Sequence, residues 1–463
     1  MTLIKSISGI RGTIGNYPGD GLTPLDIVKF TSAYAMWLKK QEKKEKYKVI
    51  IGRDARISGN MVNHIVCGTL MGMGMDVTDL GLATTPTVEI AVQIEKADGG
   101  IILTASHNPV QWNALKLLDN KGEFMSAESG EELLEIAESE KFEYAGAFYL
   151  GNYNSDSSFV YKHIEAILKL PIVDVTAISK SNLKIAIDCV NSVGGIILPK
   201  LLKALGVKEV IELYCEPDGL FPHNPEPLPE HLSDLSAAVT NNKANLGFAV
   251  DPDVDRLAIV NEDGSMFGEE YTLVAIADYV LKNNPGNTVS NLSSTKALKE
   301  ITESYGGNYS ASAVGEVNVI TEMKRTKAVI GGEGNGGVIY PDLHYGRDAM
   351  VGIALFLTHL AKSGGKCSEL RNNYPDYYLS KNKIQLSDDS DVDGLLDRLK
   401  KHYINYPVND IDGIRIDFPD GWVHLRKSNT EPIIRIYSEG NSIEDTGKMV
   451  QEIKGIINNN LPV

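Results

Sequence analysis

Three short stretches hold side chains whose types and spacing suit phosphoryl chemistry. Residues 101–109 read IILTASHNP, an apolar run followed by a small-residue turn with Ser106 at its apex. A strand ending in such a turn delivers its serine to the carboxyl edge of a sheet, where open α/β folds place their reactive groups. DPDVDR at 251–256 carries three carboxylates, Asp251, Asp253 and Asp255, beside Arg256. RKSNTEPIIR at 426–435 gathers Arg426, Ser428, Asn429, Thr430 and Arg435. Guanidinium forks bind phosphate bidentately, and hydroxyls with turn N–H groups complete a cradle. A serine able to take a phosphoryl group, a carboxylate trio and a phosphate grip imply phosphoryl transfer on a small anionic substrate.

Each stretch has a plainer reading. Ser106 could be a helix N-cap; as a phosphoryl carrier it would use a helix N-terminus, His107 and Asn108 to favour the negative charge. The glycine-flanked nucleophile elbow of serine hydrolases is absent. If 251–256 is extended, alternate side chains share a face and the three aspartates converge on one cation. Hard oxygen ligands with room for a phosphate oxygen select Mg2+. An EF-hand would need glycine where Arg256 stands, and the flanks GFAV and LAIV read as strands. A haloacid-dehalogenase-type phosphatase also opens with paired aspartates after a strand, although its usual small residue two positions on is Asp255 here. A solvated acidic turn and an exposed β-turn are the plain readings of the second and third stretches. GGEGNGG at 331–337 lacks the Lys-Ser/Thr of a nucleotide loop. Its Glu333 and Asn335 look instead like readers of sugar hydroxyls. Lys116 and Arg11 carry little signal of their own.

The elements that must position these residues repeat. KVIIGRDARISG, KIAIDCVNSVGG and NTVSNLSSTKAL each begin a strand–turn–helix–glycine–strand unit, with Gly74, Gly206 and Gly306 near the helix ends. Each copy has a further apolar strand that runs into one of three turns: the serine turn, the triple-aspartate turn or the glycine-rich turn. These turns fall at equivalent places, so three sheet edges are expected to face one cleft. The remainder, DGIRIDF, WVHLRKS and IIRIYSEG, alternates like an antiparallel sheet. Residues 441–459 then read as an amphipathic helix with Ser442 as N-cap. The expected fold class is α/β: three similar α/β domains with mixed sheets (1–153, 154–258, 259–370) and a smaller α+β domain (371–463) around a central cleft. The polar stretch 151–158 reads as a linker.

Bulk properties set the outer limits. A chain of 463 residues exceeds one hydrophobic core, and 43% hydrophobic with 23% charged residues is ordinary for a globular protein. No run approaches the roughly 18–20 apolar residues of a membrane helix, and the N-terminus lacks a signal-peptide pattern. Cys67, Cys189, Cys215 and Cys367 have no paired or metal-ligand spacing, which suits a reducing cytoplasm. A net charge of −16 argues against nucleic acid or an anionic membrane as partner, so phosphate-binding cations must be concentrated locally.

In motif content and order, the whole chain resembles the α-D-phosphohexomutase superfamily. TASHNP is similar to its phosphoserine loop, DPDVDR to its metal loop, GEGNG to its sugar-binding loop and RKSNTEP to its phosphate-binding loop. The resemblance implies a resting phosphoserine at Ser106, with Mg2+ held by Asp251, Asp253, Asp255 and a phosphoryl oxygen on Ser106. It implies transfer to a hexose 1- or 6-phosphate, a hexose 1,6-bisphosphate intermediate that turns end for end, and return of its other phosphate to Ser106. Arg426, Ser428, Asn429, Thr430 and Arg435 would hold the unreacting phosphate. Lys116 matches the general acid/base lysine, Arg11 and Arg256 match arginines near the transferring phosphate, and His107 supports the loop. Many members end the sugar loop with a histidine; Gly337 stands there, leaving Lys116, or His344 nearby, to handle the proton. The Glu333-x-Asn335 form resembles amino-sugar mutases, so glucosamine 6-phosphate to glucosamine 1-phosphate is the expected reaction, with phosphomannomutase/phosphoglucomutase as the alternative. A non-catalytic sugar-phosphate binder would have lost Ser106, the aspartates or Lys116; a metal-dependent phosphatase would release inorganic phosphate.

Overall fold

Apolar strands feeding glycine-stopped helices build the first sheet from β1 (Ile4–Ser6), β2 (Gly9–Thr13), β3 (Tyr47–Arg53), β4 (Met75–Leu82), β5 (Gly99–Leu103), β6 (Trp112–Leu118) and β7 (Tyr153–Ser155), in the order β1-β2-β6-β5-β3-β4-β7. The computed structural model describes residues 2–6, 9–385, 391–427 and 433–460. Strands β3, β4, β5 and β7 are parallel, whereas β6 returns antiparallel between β5 and β2. Every residue of β5 is buried, as expected for a central strand covered on both faces. One face packs on helices Pro24–Gln41 and Gly59–Gly72 through Phe30, Tyr34, Val62 and Val66 against Val49, Ile51, Ile101 and Leu103. The first of these helices starts at a capping box between Thr23 and Asp26.

The same plan recurs. Strands β8 (Lys184–Asp188), β9 (Glu209–Leu213), β10 (Leu246–Val250) and β11 (Leu257–Asn261) lie in the order β11-β10-β8-β9, which reproduces β6-β5-β3-β4. Strand β12 (Asn287–Asn291) runs parallel to both β13 (Tyr309–Ser312) and β14 (Ala328–Glu333), as β8 does to β9 and β10. Gly74, Gly206 and Gly306 follow the first crossover helix of each copy with φ of 80°, 86° and 76°, a conformation that glycine adopts without a Cβ penalty. Strand β15 (Gly337–Ile339) follows the glycine-rich turn.

The chain clusters into two units, Met1–Thr272 with Asn335–Arg371, and Leu273–Gly334 with Asn372–Val463. Within the second, β16 (Tyr378–Gln385), β17 (Val408–Asn409), β18 (Ile414–Phe418), β19 (Gly421–Lys427) and β20 (Ile433–Gly440) form an antiparallel sheet ordered β16-β20-β19-β18-β17. One face buries Val423, Leu425, Ile434 and Ile436 under Val450, Ile453 and Ile457 of helix Ile443–Asn460. Ser442 Oγ accepts the Asp445 N–H at 3.1 Å, which caps that helix. The architecture is therefore four-domain α/β with mixed sheets.

The expected linker differs from the structure. Residues 153–155 add β7 to the open edge of the first sheet, opposite Val77–Asp79, so the boundary expected between 153 and 154 falls inside a strand. All three residues are exposed, and backbone pairing needs no apolar side chains, so composition concealed the strand.

Candidate active site

Beyond β5, the chain turns at Thr104, whose hydroxyl donates to Asp54 Oδ2 at 2.6 Å and accepts the Ser106 N–H at 3.0 Å. Ser106 itself has φ 48°, in the left-handed region. Arg56 holds the turn closed. Its Nε donates to Asp54 Oδ2 at 3.0 Å, Nη1 to the carbonyls of Pro109 (2.7 Å) and Trp112 (3.1 Å), and Nη2 to those of Ser106 and Asn108 (2.6 Å). No helix follows Ser106; the next element is β6, because Pro109 and the immediate antiparallel return leave no room for one. The helix N-terminus expected just after Ser106 is therefore absent.

Ser106 instead faces carboxylates of the 251–256 turn. Ser106 Oγ donates to Asp251 Oδ2 at 2.6 Å. Asp251, Asp253 and Asp255 are fully buried, each with a carboxylate oxygen within 4.8 Å of the others. They converge through a turn in which Val254 has φ 63°, not through the extended segment that alternation implied. Backbone N–H groups of Asp255 and Arg256 reach Asp251 Oδ1 at 3.1 and 3.2 Å. Thr85 Oγ1 and Lys116 Nζ donate to Asp253 Oδ2 at 2.5 and 2.7 Å, and Arg347 Nη2 donates to Asp255 Oδ2 at 2.7 Å. The other oxygens, Oδ1 of Asp253 and of Asp255, are buried without a hydrogen-bond partner. An unmet buried carboxylate oxygen is costly, and a hard divalent cation satisfies such oxygens directly, so the residues fit Mg2+.

The titration behaviour follows. Burial, then the charges of Asp255 and Asp253, push Asp251 well above the carboxylate range. Burial also opposes charge on Asp253, but the charge and hydrogen bond of Lys116 overcome it and hold Asp253 below that range. Lys116 is desolvated, yet Asp253 and Asp255 raise its pKa. His107 Nδ1 lies 3.3 Å from Ser106 Oγ; burial, then the charges of Arg256 and Arg347, keep its pKa well below the ordinary value. These surroundings disfavour the charged form of its ring. Arg11, opposite Ala114 in the β2–β6 register, shares a sheet face with Lys116, and burial lowers its pKa. Arg256 Nη1 donates to Glu226 Oε1 at 3.0 Å.

In the second unit, Arg426 and Arg435 stand directly opposite each other on β19 and β20. Like charges at cross-strand positions repel, and Asp412 Oδ2, 3.5 Å from Arg426 Nε, offsets part of that charge. Ser428, Asn429 and Thr430 lie outside the described residues. Glu333 Oε1 accepts N–H groups from the Asn291 side chain (2.9 Å) and Gly315 (3.0 Å), which fixes that carboxylate. In the first unit, Asn335 Oδ1 accepts the Gly337 N–H at 3.2 Å.

His344 is committed elsewhere. Its buried ring lies between Glu89 Oε2 and Asp348 Oδ2, both at 3.3 Å; burial opposes its charge, but hydrogen bonds and charges from Asp348 and Glu89 push its pKa up to about 10. Arg56, Thr85, Glu226 and Arg347 went unnoticed in the sequence. Only Arg56, two residues after Asp54 at a strand end equivalent to that of the serine turn, had a local signal.

Residues 3–144, 161–264 and 268–378 match the phosphoglucomutase/phosphomannomutase α/β/α domains I, II and III, and residues 383–456 match the C-terminal domain of the same family. A phosphoglucomutase/phosphomannomutase of Thermococcus kodakarensis is 37% identical, covering 94% of both chains. A probable phosphoglucosamine mutase of Methanopyrus kandleri is 32% identical, covering 97% of this chain and 96% of the other. The crystal structure of a phosphoglucomutase/phosphomannomutase family protein from Burkholderia thailandensis has a TM-score of 0.85 at 27% identity, covering 99% of this chain and 98% of its own. With all four domains matched in order and a buried serine–aspartate site at the sheet edges, the chain belongs to the phosphoglucomutase/phosphomannomutase family of the α-D-phosphohexomutase superfamily and is a phosphohexomutase, an intramolecular phosphotransferase.

Proposed function

We propose that the chain interconverts the 1- and 6-phosphates of a hexose through a phosphoserine at Ser106 and an enzyme-bound hexose 1,6-bisphosphate, with glucosamine phosphate as the preferred substrate. The observation that carries this reading is the 2.6 Å bond from Ser106 Oγ to Asp251, beside the 2.7 Å bond from Lys116 to Asp253. Asp251, Asp253 and Asp255 would hold Mg2+, which supplies charge neutralisation to the transferring phosphoryl oxygens. The bond from phosphorus to Ser106 Oγ breaks as a bond forms to the free sugar hydroxyl. Lys116 gives a proton to the departing Ser106 Oγ as it takes the one released by the attacking hydroxyl. After the bisphosphate turns, the reverse sequence returns its other phosphate to Ser106. Arg11 and Arg256 steady the transferring group, and Arg426, Ser428, Asn429, Thr430 and Arg435 hold the phosphate that does not react. Positioning and electrostatics provide the rate.

The amino-sugar preference is supported by the Glu333-x-Asn335 pattern, by the buried Glu316 as a second candidate carboxylate and by the name of the Methanopyrus relative. The phosphomannomutase/phosphoglucomutase reading is favoured by the name of the Thermococcus relative. Phosphorus NMR with glucosamine 6-phosphate and catalytic hexose 1,6-bisphosphate should show the 1-phosphate forming without inorganic phosphate. Release of inorganic phosphate as the sole product would overturn the mutase reaction. kcat/KM for glucosamine phosphate should exceed that for mannose and glucose phosphates by roughly 10- to 100-fold; equal values would support the second reading. We place the protein in the cytoplasm, in keeping with its free cysteines; no helix among the described residues is long and apolar enough to cross a membrane.

A further inference from the structure

Arg347 precedes Asp348, whose carboxylate caps helix Ala349–Ser363, and pairs across an isolated bridge with Ile339. Its guanidinium is buried and reaches Asp255 Oδ2 at 2.7 Å. The path of its stem is tight. A Cβ placed on Gly337 would lie 2.4 Å from Arg347 Cδ, closer than real Cβ contacts allow, and 3.1–3.2 Å from Asn335 Oδ1 and Arg347 Cγ. Any side chain at 337 and this placement of Arg347 are therefore mutually exclusive. Gly337 itself is not in the left-handed region, so alanine there is excluded by the arginine stem and not by backbone strain.

We propose that Arg347 is a charge-positioning residue of the phosphoryl-transfer centre, acting through Asp255, and that Gly337 is glycine to admit it. The proposal rests on the phosphohexomutase reading. Arg347 occupies Oδ2 of Asp255, which Lys116 also approaches at 3.6 Å, as Lys116 occupies Oδ2 of Asp253; in each case Oδ1 is buried without a hydrogen-bond partner, with Arg256 Nε 3.9 Å from that of Asp255. The two cations thereby fix which oxygen each carboxylate offers to a metal. They also place permanent positive charge where negative charge develops in transfer. This has a cost with a definite sign: a guanidinium touching a metal-ligating carboxylate repels the metal, so the site holds Mg2+ more loosely than three aspartates alone would.

The test uses the full-length protein, calorimetric titration with Mg2+ alone, and steady-state kinetics. Arg347→Met should tighten Mg2+ binding on the order of 10-fold while lowering kcat by about 10- to 100-fold, with KM little changed. Arg347→Lys should restore the Mg2+ affinity and only part of kcat, since the charge returns without the fork. Gly337→Ala should reproduce the Arg347→Met signature in the wild-type background and add nothing to Arg347→Met, a full coupling in the double-mutant cycle. Weaker Mg2+ binding in Arg347→Met would make Arg347 a structural strut, and additive effects of the two substitutions would break the link to Gly337; either overturns the proposal. A wild-type protein without mutase activity would instead overturn the underlying functional reading, whatever the Mg2+ titrations show.

Discussion

Arg56→Lys isolates the geometry of the serine turn from its charge. Arg56 uses all its N–H groups: one on Asp54 and four on the carbonyls of Pro109, Trp112, Ser106 and Asn108. A lysine keeps the positive charge, so the fully buried Asp54 is not left unpaired, the change that would be most destabilising. Three ammonium donors cannot replace five, and at least two bonds to the turn are lost. At about 1.5–3 kcal/mol for each charged hydrogen bond, the loss is roughly 3–6 kcal/mol. It falls on residues 104–113, whose Ser106 is held at φ 48° by these same contacts. Hydrogen exchange should therefore show loss of protection confined to that segment. kcat should fall about 100-fold, because a displaced nucleophile forfeits near-attack geometry. Mg2+ affinity should change little, since no aspartate of the metal loop touches Arg56 among the hydrogen bonds and ion pairs of the described residues. Wild-type turnover with unchanged exchange at 104–113 would mean that Arg56 does not hold the serine turn.

Asp253→Asn removes one anionic ligand and the partner of Lys116, so Mg2+ affinity and kcat should drop more than KM changes, measured across an Mg2+ series. Arg426→Ala should raise KM for both the 1-phosphate and the 6-phosphate by about 1.5–3 kcal/mol equivalent, because one grip serves both orientations; a defect in one direction only would assign it to one end of the sugar. The His344 pKa is raised from 6.5 to about 10 in the fold, so the ring stabilises fully below about pH 6.5 and loses that contribution as pH rises through about 10. Thermal melts of wild type should decline across this window, and His344→Asn should flatten that part of the profile.

That Ser106 and the three aspartates come together was legible, because each lies in a short segment whose composition suggests its chemistry. The repeat was legible too, since strands and glycine stops recur at matching intervals. What escaped was whatever depends on long-range approach. Arg347 reaches Asp255 across 92 positions, and Thr85 reaches Asp253 across 168. The triad converges, but through a left-handed Val254 that no alternation rule foresees. The glycine at 337 read as a missing side chain; in the fold it is space filled by an arginine from a later turn.

The most direct test of the account is whether Ser106 carries a phosphoryl group and passes it on. Protein charged with labelled hexose 1,6-bisphosphate, freed of ligand and weighed intact, should carry one phosphoryl group, mapped to Ser106 and absent from Ser106→Ala. Chasing the charged enzyme with hexose 6-phosphate should move the label into hexose 1,6-bisphosphate. An adduct that persists in Ser106→Ala, or label released as inorganic phosphate in place of bisphosphate, would contradict it.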